Sequence, residues 1–541
     1  MSLVDSTAPD NPLSPQPPEN SPAQIARRLE QLALGLRDQV VEAAAEGESF
    51  DSTERNVRDS VRQIGFEALE LFVRLQGLGD LGEQVGDEQV GEGQDRKTLY
   101  RSEEPSRTVV RSIFGEHAVE QYTYAAGRKK AIELRPISAR MQLPEHRWSY
   151  LLQEFSQMFC ADQAFRQAAE GLETIFGSKF SVGTLEQINQ DMGQQAGEFL
   201  HRLPTPPKEE EGEFLVVSAD CKGVPLVRED AAQVAAFEAA KKRPGNRRMA
   251  TVTSAYTVDP HERTAEQVVA ALFRDERPNA QQPGASAQPA SQESRPPRRP
   301  QPQSKHTAAH FPTRYLDGDT EIPISGIHEG IAWLAEQVAA RRRPEQTLVL
   351  VMDGQESLWD VASLHFDAAE RVVEILDLIH VSKYVWEASA LFHRSREMRE
   401  AFTRERLLKI LHGEVRSVIR GLRRMGSLHN LRGETRKDLR RICGYFEKHQ
   451  HRMRYDKYLA AGYPIASGVI EGACGHLVKD RMERSGMRWT LEGARSMLNV
   501  RAVFQSDYWD RFQSQRIEEL SARAHPRHCL VENYMPLKLA F

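Results

Sequence analysis

Asp220, Asp353 and Glu471 are the residues of this chain whose types and settings most plainly suggest chemistry. Each aspartate follows a short apolar run. Phe214 to Val217 lead to Asp220, and Thr347 to Val351 lead to Asp353 and a glycine. Unbroken apolar runs of that length read as strands buried on both faces. Taken singly, each acid reads as a strand-end cap or turn residue. Acids at the ends of neighbouring buried strands, however, are costly unless something compensates them. Two divalent cations would do so. Mg²⁺ takes hard oxygen ligands, and two ions about 3.5–4 Å apart can clamp the attacking and leaving oxygens of a phosphoryl transfer. Two strand-end aspartates and one helical glutamate supply the carboxylates that such a pair of Mg²⁺ (or Mn²⁺) ions needs.

The third acid sits in PIASGVIEGACGHLVKDRMERSGMRW, residues 464–489. Pro464, Ser467 and Gly468 read as a helix entry with Ser467 as its cap. Ile470, Ala473 and Leu477 then mark one apolar face. Glu471 lies one residue off that face, beside the small residues Cys474 and Gly475, so it can approach another surface closely. Lys479, Arg481 and Arg484 follow, and Lys222 stands beside Asp220; these four are the candidate phosphate contacts, with ordinary surface charge as the alternative. Trp489 reads as core.

The elements that must position these residues can be laid out in order. Residues 1–23 are rich in Pro, Ser and Asn and read as disordered. Amphipathic helices are expected over about 24–46 and 53–77, then an acidic, Gly-rich linker to about 95. Residues 107–138 suggest a hairpin around Phe114-Gly115-Glu116 with KAIELRPI as a third strand. Residues 148–200 suggest helices, with a weak helix-turn-helix signal turning on Gly177 or Gly183. A core spans 213–381, with strands at 214–217, 249–259, 347–351 and 372–381, the last closing on Asp377-x-x-His380. Low-complexity sequence over 276–311 reads as a disordered insertion. A basic, all-helical block covers 382–461, the core resumes over 462–507, and 508–541 form a tail.

Composition limits the functions available. The 541 residues carry a net charge of −5, but unevenly. Residues 1–100 hold 9 Lys/Arg against 19 Asp/Glu, a net of −10; the remainder, 63 against 58, is +5; and residues 391–460, 19 against 8, reach +11. Local basic faces of this kind, rather than overall charge, attract phosphate. Five cysteines without paired spacing argue against a disulfide framework or a cysteine zinc site and suit a reducing, cytoplasmic setting. No apolar run nears the roughly 20 residues that span a bilayer, and no GxxxxGK[ST] phosphate loop is present, so no membrane and no nucleotide cofactor are expected.

The segments SADCKGVP, LVMDG, ILDLIHVSKYVW and the 464–489 block resemble the motifs of bacterial insertion-sequence transposases of the ISKra type, in the DDE superfamily. SIFGEH, MQLPEHRWSYLLQEF and LELFVRLQGLGDLG resemble that family too, so the likeness covers most of the chain. It implies an α+β multidomain protein. The ribonuclease-H-like core would be interrupted by an all-helical insertion and preceded by a helical and hairpin/helical DNA-binding region. Asp220, Asp353 and Glu471 would be the catalytic triad, and Asp377 and His380 would match the family's (C/D)xxH motif. Cys221 and Gly475 depart from the family pattern, as does the insertion before Asp353. The expected activity is metal-dependent hydrolysis at the element's ends followed by strand transfer. Double-stranded DNA would be the partner, and pairing of two ends calls for a homodimer or higher oligomer. A silent DNA-binding descendant, or a nuclease of the same fold that cannot join, are the alternatives.

Overall fold

A computed structural model describes residues 21–86, 98–237, 245–275, 299–318, 320–366, 371–484 and 486–539. The expected disorder of residues 1–20, most of the acidic linker and residues 276–298 lie outside them. The chain divides into two units, Met1–Ile188 with Gln513–Phe541, and Asn189–Phe512. Among the described residues no helix is long and apolar enough to cross a membrane.

The first unit opens with the two expected helices, Pro22–Glu46 and Phe50–Leu75. Ser21 and Ser49 cap them by accepting the N–H of Gln24 and Ser52, and Gly77, Gly79 and Gly82, all at positive φ, lead the chain away. Ser106–Arg111 and Glu116–Gln121 form the expected hairpin. The third strand does not join it. Ile132–Leu134 pairs with Tyr124–Ala125 in a separate sheet that includes Gln84–Gly86 and Thr98–Arg101. The run HAVEQYTYA is thus split between two sheets, and the expected linker contributes a strand. Gly177 at φ 66° ends the helix Phe165–Phe176, whereas Gly183 lies inside the helix Val182–His201. The expected tail is not one. The helix Trp509–Ala524 sends Arg516 to Gln153 Oε1 (2.5 Å), Tyr534 accepts the Gly79 N–H (3.1 Å) and Leu537 N–H bonds to the Leu75 carbonyl (2.7 Å).

The second unit is built on a five-stranded sheet: β1 (Phe214–Pro225), β2 (Arg247–Val258), β3 (Gln303–His310), β4 (Thr347–Met352) and β5 (Val372–Leu376). Their order across the sheet is β5-β4-β1-β2-β3. β4 runs parallel to β1 and β5, while β1–β2 and β2–β3 are antiparallel. Three expectations fail here. Asp220 does not end its strand, because β1 continues to Pro225 along β2. β3 lies inside the stretch read as a disordered insertion: KHTAAH has small and β-branched residues that bury Thr307 and Ala308 against β2. The run 372–381 is a strand only to Leu376. Asp377 then caps a helix by accepting the Ile379 N–H, so His380 sits in a first helical turn.

Side chains alternate across the sheet with a period of two. Leu215, Val217, Leu348 and Leu350 pack under helices α1 (Gly326–Arg341) and α2 (Glu356–His365). Phe214, Val216, Val349, Val351 and Ile375 face the other way, into a core shared with α3 (Leu378–Phe392), α4 (Arg396–Leu411), α5 (Val415–Leu428) and α6 (Gly433–His449). The helical block expected over 382–461 therefore covers one face of the sheet. Gly468–Ala473 forms α7, which continues as a π-helical turn, Cys474–Lys479, and α8 (Leu491–Gln505) follows.

Candidate active site

The sheet register aligns three aspartates. Leu350 pairs with Val217 and Met352 with Leu376. Continuing both registers, three residues in one case and one in the other, places Asp353 level with Asp220 and with Asp377. All three have the parity of Val216, Val351 and Ile375, so they lie on the face covered by the helical block. Parallel strands that stop at Met352 and Leu376 leave β1 running on past them with only its antiparallel partner β2, and the acids occupy that step.

Each carboxylate is held by its neighbours. Asp220 accepts the Cys221 N–H at 2.7 Å and the Cys474 thiol at 3.3 Å. Asp353 accepts the Gln355 N–H at 2.9 Å, while its carbonyl takes the indole N–H of Trp359 at 2.6 Å. Asp377 is wholly buried. It accepts N–H groups from Ser467 (3.0 Å) and Ile379 (3.1 Å) and lies 2.7 Å from Nδ1 of His380. Ser467 precedes α7 as expected, yet its side chain does not cap that helix. Its backbone N–H instead serves Asp377.

Electrostatics separates the three. Burial raises the Asp353 carboxyl, and the charges of Asp220 and Asp377 add to it against the Gln355 N–H and His380. Burial also works against ionisation of Asp377, but the His380 ring and the Ser467 and Ile379 N–H groups outweigh it, and its carboxyl is lowered. Asp377 in turn raises His380, with Asp353 and Glu471 contributing. Burial pushes the Cys221 thiol up to about 11 and raises Cys474 further, the latter with help from Asp220. Neither thiol is therefore a nucleophile.

Glu471 is exposed in the first turn of α7. With Asp377 and His380 it forms a cluster in which one ligand atom from each of the three lies within 4.8 Å of the others. Asp377, Asp353 and Glu471 together raise the His380 imidazole, which favours its charged form among these carboxylates. Among the described residues the carboxylate cluster is thus Asp377, His380 and Glu471, and Asp353 and Asp220 adjoin it: the Asp353 charge acts on His380, and Asp220 acts on Asp353. Carboxylate oxygens with a buried, raised Asp353 among them suit a hard divalent cation, which would relieve that burial.

Several features that position the site were not legible from sequence. The π turn begins three residues after Glu471 and turns Cys474 toward Asp220. π turns of this kind are frequent at functional sites. Arg501 of α8, 5% exposed, donates to the carbonyls of Leu477 (3.0 Å) and His476, which the widened turn leaves open. Tyr445 of α6 lies against Gly354, where an added Cβ would meet its hydroxyl at 2.7 Å. It also stacks on Tyr384 with ring centres 3.9 Å apart.

The expected phosphate contacts divide. Lys479 and Arg484 are exposed, and Lys222 is half-buried on the Asp220 face of β1. Arg481 is a correction. It is wholly buried, lies 4.7 Å from the centre of the Trp489 ring and donates to the Met487 sulfur at 3.1 Å, so it packs the core and offers nothing to phosphate. Trp489 is buried as expected.

No protein-family model matches the chain, and no curated protein matches it.

Proposed function

We propose that the protein is a DNA transposase of the DDE superfamily, hydrolysing phosphodiesters at the ends of an insertion sequence and joining the freed 3′-hydroxyl to target DNA. The observation that carries this reading is the alignment of Asp220, Asp353 and Asp377 across three adjacent parallel strands, with Glu471 delivered to the same face by α7. The strand order, three antiparallel strands followed by two parallel to the first, supports a ribonuclease-H-like core.

Asp220, Asp353 and Glu471 are the expected holders of two Mg²⁺ or Mn²⁺ ions, which when bound supply Lewis-acid stabilisation of the attacking and leaving oxygens. The chain's own residues do the rest. Asp377 fixes the His380 ring by the contact at Nδ1, leaving Nε2 as the ring's remaining polar atom. The raised His380 imidazole lies in the cluster with Glu471 and can attract its carboxylate when charged. Gln355 and Trp359 lock the Asp353 turn, and Lys222, Lys479 and Arg484 would hold phosphates. Pairing of two ends by a dimer belongs to the same proposal.

The test is cleavage of a labelled duplex spanning the gene's flanks, with Mg²⁺, by wild type and Glu471→Gln. Discrete nicks and joined products from the wild type, with rates in the variant down by about a hundredfold or more, are expected. Cutting without joining would favour a nuclease, and binding without cutting a silent DNA-binding protein. A variant that cuts as well as the wild type overturns the role of Glu471.

A further inference from the structure

The helical block that covers the acids carries a groove of about 460 Å³ between α5 and α6. Leu431, Leu439 and Cys443 contribute apolar lining, and Arg423, Arg432, Arg436 and Arg440 line it with charge. The cations of this region divide by surroundings. Lys437 pairs with Glu434 at 2.7 Å, Arg441 with Glu387 at 2.8 Å, Lys448 with Glu356, and Arg423 with Glu447 at 2.7 Å. Arg432, Arg436 and Arg440 are exposed and have no carboxylate partner among the described residues. Arg436 and Arg440 lie four apart on α6, and Arg432 is the extended residue that precedes its first turn, so the three form a row along the groove from the helix N-terminus.

Folding gains nothing from that row. Arg436 and Arg440, four apart on the helix, repel by about 0.2–0.5 kcal/mol. Arg432 and Arg436 also stand at the N-terminal end of α6, where the helix dipole disfavours cations. A polyanion in the groove would reverse both effects. Over the row's eight residues, roughly 12 Å of helix, a duplex presents about seven phosphate charges. The row also faces away from the acids. Nine residues separate Arg436 from Tyr445, and at about 100° per residue that is half a turn, whereas Tyr445 is the α6 side chain that packs on Gly354 beside Asp353.

We infer that this groove binds the phosphate backbone of duplex DNA, at a stretch remote from the phosphate being cut. The inference rests on the DNA-acting reading of the acidic site and adds a second contact region to it.

The experiment titrates the full-length protein with a labelled duplex over about 50–200 mM salt, comparing wild type with R432Q/R436Q/R440Q, the corresponding triple lysine variant, and a control that removes the paired cations K437Q/R441Q/K448Q. The expected result is a salt slope reduced by about 0.9 for each lost contact, up to about 2.7, with affinity weakened about tenfold or more at the lower salt concentrations. The lysine variant keeps most of the slope, and the control shifts it less than the glutamine variant does. Cleavage rate at saturating DNA stays unchanged. A wild-type slope in the triple glutamine variant, or an equal loss in the control, overturns the groove while leaving the acidic site's function standing. A fallen rate at saturation overturns the remoteness claim. If the wild type does not bind duplex at all, both the groove and the DNA-acting reading fall.

Discussion

At the scale of single residues, Asp353 and the Asp377–His380 pair give opposite pH signatures. A carboxyl raised above its unfolded value of about 3.9 stabilises the fold below that value and loses this as pH rises through the folded one, so ionised Asp353 works against stability at neutral pH. Asp353→Asn should therefore melt higher than wild type in EDTA by calorimetry. Saturating Mg²⁺ should then favour the wild type, by about 2.7 kcal/mol at a hundredfold excess over Kd, and shift the variant little. Equal Mg²⁺ shifts would count against Asp353 as a ligand. The pair behaves otherwise. Asp377 contributes stability that is lost as pH falls through its lowered value, and His380 contributes stability that is lost as pH rises through its raised one. The difference in urea midpoint between wild type and His380→Ala should be largest from about pH 4 to 6.5 and shrink above it. Sequence singled out the acids of this site from local patterns, apolar runs ahead of Asp220, Asp353 and Asp377 and a helical face beside Glu471. It misassigned Arg481, because a buried cation under Trp489 depends on contacts that spacing does not encode.

At the scale of elements, the π turn after Glu471 depends on α8. Replacing Arg501 by Met keeps most of the side chain's bulk and removes its donors, leaving the Leu477 and His476 carbonyls open at a cost of about 1–3 kcal/mol each. The expected result is a lower melting temperature together with a weaker response to Mg²⁺, as Glu471 loses its support. Stability that falls with no change in that response would confine Arg501 to packing. Gly354→Ala acts from the other side. Its Cβ would push Tyr445 away from the Asp353 turn, at about 1–3 kcal/mol, and Tyr445→Ala in the same chain should restore part of the metal response. Strands 214–217 and 347–351 were readable because their apolar runs are short, Val-rich and soon followed by acids, which favours a strand over a helix. The β3 strand was hidden by polar, low-complexity sequence upstream of it, and the helix at 378 by an apolar run that fits either period.

At the scale of the whole molecule, the chain's last described segment belongs with its first. Removing residues 513–541 takes away Arg516 from Gln153, Tyr534 from Gly79 and Leu537 from Leu75. The truncated protein should lose protease resistance in residues 21–188 while the unit Asn189–Phe512 keeps its own melting transition. Proteolysis followed by mass spectrometry reads both outcomes, and an unchanged first unit would show the segment to be dispensable. The sequence offered no sign of this arrangement, since contacts between residues some 450 positions apart leave no periodic trace.

That arrangement sets a clock. Translation proceeds at roughly 5–20 residues per second, so the 353 residues from 189 to 541 take about 20–70 s to emerge after residue 188 is made. Throughout that interval Gly79, Leu75 and Gln153 wait for partners not yet synthesised, whereas the second unit is complete once Phe512 is made, with 29 residues still to come. A released chain ending at Phe512 should thus show a digestible first unit beside a protected second one, a sequence of maturation opposite to the order in which the two are read from the message.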